Sequence, residues 1–285
     1  LTTAVGSYPK PKYITKARSQ LKQGLIDSKE LKELEQKATA FWMETQEELD
    51  MDILVDGEMY RGDMVTYFSE NMEGFDISGL VRSYGNRYYR KPIAIGPISR
   101  KGSITLDWWK FSQGLTKRPV KGMLTGPYTM ADWSFNEYYP TFAEFVMAMA
   151  KVVNEEAKEL ENAGARYIQI DEPAVSTRTD EMDLAIEAMA VATEGLTAYT
   201  FTHICYGDFA AVIDKLSEMP VDNIDLEVAN GNYGLLDIFR TNKKKFNKGI
   251  SMGVTDVHSH TIETVDEVKI GIKKGLELFP PEKLF

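Results

Sequence analysis

The only cysteine of the 285-residue chain lies two residues after one of its three histidines, in the stretch TFTHICYGDF. Side chains at positions i and i+2 of a β-strand point to the same face, so His203 and Cys205 can reach one point. Imidazole and thiolate are ligands that zinc prefers, and Glu227, at the end of the next predicted strand, can supply a third. By itself an H-x-C pair is a weak motif that chance can produce. With Glu227 as a third candidate ligand, a zinc site and a chance pairing explain these residues equally well.

A second pair with the same spacing, Asp256 and His258, follows a later predicted strand. A histidine beside a carboxylate is a candidate proton carrier at neutral pH. A histidine satisfied by hydrogen bonds within its loop explains this spacing equally well. Six predicted strands end in such polar groups, namely Ser7, Glu58, Asp171, His203 with Cys205, Glu227, and Asp256 with His258.

The elements that must position these residues alternate along the chain. Short apolar strands are followed by longer amphipathic segments, such as the predicted helix over residues 27–50, which Asp27 or Ser28 can cap. About seven strand–helix units predict an α/β fold with a parallel sheet. A doubly wound sheet and a (β/α)8 TIM barrel both fit this order. The clustering of polar residues at one end of the strands favours the barrel.

Two parts of the chain depart from a regular barrel. Residues 59–119 contain GNRYYRKPIAIGPIS, which predicts a β-hairpin inserted after the second barrel strand. At the other end, PPEKLF leads into an eighth strand that is cut short at Phe285. We therefore expect a single catalytic domain over residues 1–285, with an insertion at about 59–119.

Composition narrows the class of function. The net charge of −10 leaves no basic surplus for a nucleic-acid partner. No apolar run reaches the length of a membrane span, and the amino-terminal stretch lacks the pattern of a signal peptide. A single cysteine cannot form an internal disulfide framework, and a cytoplasmic location is the default expectation.

Seven motifs occur in a fixed order along the chain, and together they resemble the catalytic barrel of the cobalamin-independent methionine synthase family, especially its short "core" members. These motifs are VGSYPKP, VDGEMYRGDMVTYF, VKGMLTGPYTMADWSF, YIQIDEPA, FTHICYGDF, IDLEVAN and GVTDVHS. The similarity extends from Thr2 to Phe285. It implies a zinc-dependent methyltransferase that moves a methyl group to the thiol of L-homocysteine, producing methionine.

The resemblance also implies a role for each matching residue. Zinc is held by His203, Cys205 and Glu227, with a fourth ligand, a cysteine, expected just beyond Phe285. Homocysteine is bound through its carboxylate by Gly6 and Ser7, and through its amino group by Glu58 and Asp171. Trp133 lies near the methyl donor, and Asp256 and His258 lie near the thiol and the donor, where His258 is a candidate acid.

The methyl donor is the least determined part of this interpretation. Folate-using members of the family continue DEPA with Leu-Arg-Glu, whereas this chain has Val175, Ser176 and Thr177. This departure favours a methylated corrinoid, or a corrinoid protein as partner, over methyltetrahydrofolate.

Three other interpretations remain open at this point. A zinc alkyltransferase acting on another thiol, such as coenzyme M, would not need carboxylates for an ammonium group. A barrel of the uroporphyrinogen decarboxylase type would use arginines such as Arg61, Arg82 and Arg87, and would leave the H-x-C pair without a role. A barrel retained only to bind a corrinoid protein would lack activity on homocysteine.

Overall fold

The structure, a computed structural model, describes residues 1–82, 88–205, 209–242, 246–257 and 259–285, and within these ranges the side chains of 209–212 and 242 are left undescribed. The helices are α1 Lys12–Lys22, α2 Ser28–Glu48, α3 Thr66–Glu70, α4 Leu106–Gln113, α5 Pro127–Asp132, α6 Phe142–Asn162, α7 Met182–Ala192, α8 Phe209–Glu218, α9 Leu235–Asn242 and α10 Val265–Leu276. The strands are β1 Met72–Arg82, β2 Tyr88–Arg100, β3 Gly122–Thr125, β4 Phe135–Asn136, β5 Tyr167–Asp171, β6 Tyr199–Ile204, β7 Asn223–Glu227 and β8 Gly249–Gly253.

A five-stranded parallel sheet in the order β3-β5-β6-β7-β8 forms the centre of the fold. All residues of β3 are buried, and β7 and β8 are buried up to their last residue. Strands covered on both faces need continuous apolar runs, and this is why the pattern of the sequence identified them. The register aligns Thr125 with Asp171, and His203 with Asp225.

Further contacts extend this sheet into a ring. Isolated parallel bridges pair Leu54 with Val120, Ser7 with Gly57, and Ile250 with Leu284. The Leu1 ammonium donates to the Leu284 carbonyl oxygen at 3.1 Å, which links the first segment to the last. These contacts connect eight segments of the described chain in the order expected for a (β/α)8 barrel, and the predicted α/β class with a parallel sheet is confirmed. Five of them form the continuous ladder.

The predicted hairpin insertion is present. Strands β1 and β2 pair in antiparallel fashion, with Met72 opposite Arg100 and Arg82 opposite Tyr88. The hairpin is held to the barrel by Glu156 on α6. Its buried carboxylate accepts from Nη1 of Arg100 at 2.7 Å and from the backbone N–H of Thr105 at 2.7 Å. This anchor fixes the end of the insertion against the outer helices.

Helix starts follow the capping rules. Asp27 caps α2 and forms a reciprocal capping box with Glu30, as the sequence predicts. Thr141 with Glu144 does the same for α6, and Thr264 caps α10. Among the helices of the described ranges, none combines the length and apolar character that crossing a membrane requires.

Candidate active site

The predicted carboxylate-binding residues lie where the amino-terminal segment meets the second barrel segment. Ser7 pairs with Gly57 in a parallel bridge, and the Tyr8 backbone N–H donates to the Gly57 carbonyl at 3.1 Å. A methyl group added at Gly6 would lie 3.3 Å from Oε1 of Glu58. Gly6, Ser7 and Glu58 are therefore brought together, and a methyl group at Gly6 would also come within 2.6 Å of Cε of Met123.

The Glu58 carboxylate is held by Arg61, which is 2% exposed. Its Nη1 donates to Oε1 of Glu58 at 2.9 Å, and its Nη2 donates to the Met123 carbonyl at 2.5 Å and to the Tyr60 hydroxyl at 3.2 Å. Glu58 itself has a φ of +57°, and its backbone N–H donates to Oδ1 of Asp56 at 2.9 Å. Both the backbone turn and the guanidinium thus fix where this carboxylate lies.

Asp171, the second predicted ammonium ligand, is the last residue of β5. Oδ1 accepts a hydrogen bond from Nε2 of Gln169 at 2.8 Å. Burial raises the pKa of Asp171 to about 8, the Gln169 hydrogen bond opposes this rise, and the charges of Glu58 and Asp225 add to it. Two carboxylates that repel each other in this way offer a favourable position for a cationic group between them.

His203 and Cys205 lie against each other at the end of β6, as their spacing predicts. Nε2 of His203 is 3.1 Å from Sγ of Cys205. Burial raises the pKa of the Cys205 thiol to about 11, with the Asp171 charge adding to the rise. Burial also lowers the pKa of His203, and its buried Nδ1 has no hydrogen-bond partner among the residues that the structure describes. The backbone N–H of Glu172, the residue after Asp171, donates to the His203 carbonyl at 2.9 Å, so this pair lies beside the end of the strand that carries Asp171.

Glu227 ends β7, the strand next to β6. Continuing the β6–β7 register by one residue would place it opposite Cys205. Its Oε1 instead accepts from the backbone N–H of Asn230 at 2.5 Å. Within the described ranges no three side chains of the metal-binding types are close enough to hold an ion. The structure therefore brings His203 and Cys205 together and leaves Glu227 turned toward its own loop.

The remaining predicted catalytic residues lie in the loop after β8. Asp256 is half-buried, and its Oδ1 is 3.5 Å from Nδ2 of Asn230, so Asn230 contacts both this carboxylate and that of Glu227. The backbone N–H of Asp256 donates to Oε1 of Glu263 at 2.6 Å. The candidate acid His258 lies outside the described residues.

Trp133 lies directly after α5 and is half-buried. The helix begins beside Asp171, whose carbonyl accepts from the Gly126 N–H at 2.8 Å. Glu172, which is fully buried, accepts from the N–H of Thr129 at 2.8 Å and so fixes the first turn of α5. Burial raises the pKa of Glu172 to about 7, against the effect of these hydrogen bonds. The position of Trp133 thus depends on the residue next to Asp171.

Sequence reasoning did not identify four residues that hold the site together, namely Arg61, Lys121, Gln169 and Asn230. Gln169 had a usable signal, because a polar residue at i−2 from Asp171 within the buried run YIQID must share its face. The other three act across segments that are distant in sequence or within a loop, and no spacing rule reveals such contacts.

These features define an α/β enzyme whose candidate site lies at the carboxyl ends of parallel strands. The family model described as "Cobalamin-independent synthase, Catalytic domain" matches residues 1–285. The methionine synthase of Saccharolobus solfataricus is 38% identical over the whole chain, which covers 85% of that protein. The methionine synthase of Pyrococcus horikoshii is 39% identical, with all of this chain and 83% of that protein covered.

A solved structure gives the same answer. The B12-independent methionine synthase of a Shewanella species, in complex with selenomethionine, matches with a TM-score of 0.86 at 31% identity and covers all of this chain and 88% of its own. A methyltransferase from Methanosarcina mazei shares the fold, with a TM-score of 0.65 at 14% identity over 87% of this chain and 78% of its own. The chain belongs to the family of cobalamin-independent synthase catalytic domains, and the predicted membership is confirmed.

Proposed function

We propose that the chain catalyses methyl transfer to the thiol of L-homocysteine, with methionine as product. The observation that carries this proposal is the convergence of two carboxylates, Glu58 and Asp171, with the Gly6–Ser7 backbone and the His203–Cys205 pair. An amino acid that bears a thiol needs these three kinds of contact: carboxylates for its ammonium group, backbone for its carboxylate, and soft donors near its sulfur.

Zinc fits the donors at this site. The His203–Cys205 pair offers nitrogen and sulfur 3.1 Å apart, and zinc accepts this combination. Glu227 would complete a three-residue set by turning from Asn230 toward Cys205. Zinc, when bound, would favour the thiolate form of a substrate whose free thiol has a pKa of about 8.5.

The protein's own residues would orient the substrate. Glu58 and Asp171 would hold the ammonium group, and Gly6 and Ser7 the carboxylate, so that the sulfur is aimed in one direction. Holding both ends of a flexible amino acid supplies much of the advantage of an oriented reaction.

We further propose a methylcorrinoid, free or carried by a protein, as the donor. The residues at the folate-associated positions are occupied by local contacts. The Ser176 hydroxyl donates to the Pro173 carbonyl at 2.9 Å, and the Thr177 hydroxyl to the Ala174 carbonyl at 3.0 Å. Val175 is buried. This turn offers hydroxyl groups that are already engaged where folate-using relatives are expected to present a carboxylate.

The alternative functions fit the geometry less well. The Arg61 guanidinium is buried against Glu58, so it is not free to receive a substrate carboxylate as a uroporphyrinogen-type decarboxylase would require. Arg87, the third arginine considered for that function, lies outside the described residues. Coenzyme M has no ammonium group, so it would bring no positive charge to Asp171, whose pKa is raised by burial and by the charges of Glu58 and Asp225.

The test is a methyl-transfer assay with L-homocysteine and either methylcobalamin or methyltetrahydrofolate. We expect methionine with methylcobalamin and a much lower rate with the folate. Zinc content is measured separately in the purified protein and in Cys205→Ser, with Ser217→Ala, at a half-buried position on α8, as the control substitution. Zinc retained at the same level in Cys205→Ser would contradict the assignment of the metal, and no methionine from either donor would contradict the proposed reaction.

A further inference from the structure

A buried amide joins the two ends of the candidate substrate site. Gln169 is fully buried in the middle of β5, two residues before Asp171 and on the same face. Its Nε2 donates to Oδ1 of Asp171 at 2.8 Å and to the carbonyl oxygen of Val5 at 2.7 Å. Val5 precedes Gly6 and Ser7. One side chain thus contacts both the ammonium end and the carboxylate end.

The orientation of this amide is determined by Lys121. The Lys121 side chain is 1% exposed, and its Nζ donates to Oε1 of Gln169 at 2.5 Å. A lysine ammonium can only donate, so only the oxygen of the amide can face it. The NH2 group must then point toward the other two atoms, and both of these are acceptors. The flipped amide would place donor against donor and acceptor against acceptor at all three contacts.

This arrangement has consequences at both ends of the site. At Asp171, Oδ1 is committed to Gln169, while Oδ2 accepts no hydrogen bond from any residue that the structure describes. At the other end, the hydrogen bond fixes the direction of the Val5 carbonyl. Because the peptide group is planar and trans, it also fixes the direction of the Gly6 N–H on the opposite side.

We propose that Gln169 is a positioning residue that couples the carboxylate end and the ammonium end of the amino-acid site, with its amide orientation set by Lys121. The proposal rests on the proposed function, since it assumes that an amino acid binds here. A glutamine is required because glutamate could still accept from Lys121 but could not donate. Its second oxygen would face the oxygens of Val5 and Asp171 at hydrogen-bond distance.

Gln169→Glu is the direct test, because it changes the donor while keeping the shape. The measurements are KM and kcat for L-homocysteine, and the inhibition constants of L-methionine and of its analogue without the amino group, 4-(methylthio)butanoate. We expect KM and the L-methionine constant to rise about 10- to 100-fold, the range for losing hydrogen bonds to a charged group, with kcat changing far less. The analogue without the amino group should also bind about tenfold more weakly, because the Gly6 end moves.

Asp171→Asn separates this role from a simple effect on the ammonium group. This variant should weaken the binding of L-methionine and leave the binding of the analogue without the amino group nearly unchanged. A Gln169→Glu variant that behaves like Asp171→Asn, or that binds all ligands as the parent does, would overturn the coupling. The parent's own turnover decides the proposed function independently, because a parent that makes no methionine refutes the reaction and not the coupling.

Two further variants distinguish the proposed role of Gln169 from an effect on folding. Asn154→Asp is the matched control, because this buried amide on α6 donates to the carbonyls of Ala192 at 3.0 Å and Glu194 at 2.9 Å, both outside the candidate site. It should lower Tm while leaving KM within about twofold. If Gln169→Glu does not fold, Lys121→Met retains the glutamine but frees its amide to rotate. It should raise KM about tenfold, and an unchanged KM would overturn the role of Lys121.

Discussion

Asp171→Asn is expected to stabilise the unliganded protein, although it removes a predicted substrate ligand. Burial raises the pKa of Asp171 to about 8, whereas an unfolded aspartate titrates near 3.9. Between these two values the folded protein holds a proton that the unfolded chain has released. Stability is therefore lost as the pH rises through this window. Asparagine keeps the acceptor for Gln169 and carries no charge, so it escapes this loss.

The magnitude follows from the width of the window. Each pH unit is equivalent to about 1.36 kcal/mol, so the advantage of the variant should grow by up to about 4 kcal/mol from pH 5 to pH 8. Thermal unfolding in the presence of a chelator and without substrate measures the stability difference between the variant and the parent. Each kcal/mol of that difference should shift Tm by roughly 2 °C. Glu44→Gln, on the exposed face of α2, is the control and should show no such trend. A difference that is constant with pH would show that Asp171 is ionised in the folded protein, and would refute the argument from burial.

Three further predictions concern the scaffold. Glu156→Ala should destabilise the protein by about 1–3 kcal/mol for each of the two buried backbone N–H groups that it leaves unpaired, those of Ile104 and Thr105, measured by denaturant unfolding; Arg100 keeps its pairs with Glu155 and Glu159. Gly126→Ala should lower both Tm and activity, because the new methyl group would lie 2.1 Å from Cδ of Glu172; an unchanged Tm would contradict the close approach. Asp27→Ala should cost about 1 kcal/mol of stability through the lost cap of α2, with KM for homocysteine unaffected.

The sequence was sufficient for the five strands of the central sheet and for the long helices, whereas the predicted strands that end at Ser7 and Glu58 are present only as isolated bridges. Buried parallel strands have uninterrupted apolar runs in the sequence. The first turns of α2 and α6 are marked by capping-box residues. Helix α1 was missed because only Ile14 and Ala17 of its eleven residues are buried, which leaves a weak periodic pattern. Helix α5 was missed because the segment after Gly126 is too short to show a periodic apolar pattern. The proline at its start was the one sequence signal for a helix there.

The candidate site was predictable to the extent that it depends on spacing within one strand. His203 and Cys205 come together because strand geometry alone requires it. Glu227 shows the limit of that reasoning, since its position on the neighbouring strand is as expected but its carboxylate has a partner in its own loop. Arg61 reaches Met123, which is 62 residues away, and Gln169 reaches Val5, which is 164 residues away. Contacts of this kind depend on barrel closure and leave no local pattern.

The depth at which charges are buried explains why an amino acid suits this site better than a polycarboxylate. The two cations, Arg61 and Lys121, are at most 2% exposed, whereas the carboxylates of Glu58 and Asp171 are partly exposed. A ligand that enters from solvent therefore reaches these two carboxyl groups before the cations, which are already engaged by Glu58 and Gln169. An ammonium group offsets the burial, and the charges of Glu58 and Asp225, that raise the pKa of Asp171. The ligand's own carboxylate must then be received by backbone N–H groups near Gly6, which bear no full charge and so do not compete with the ammonium group for the carboxylates.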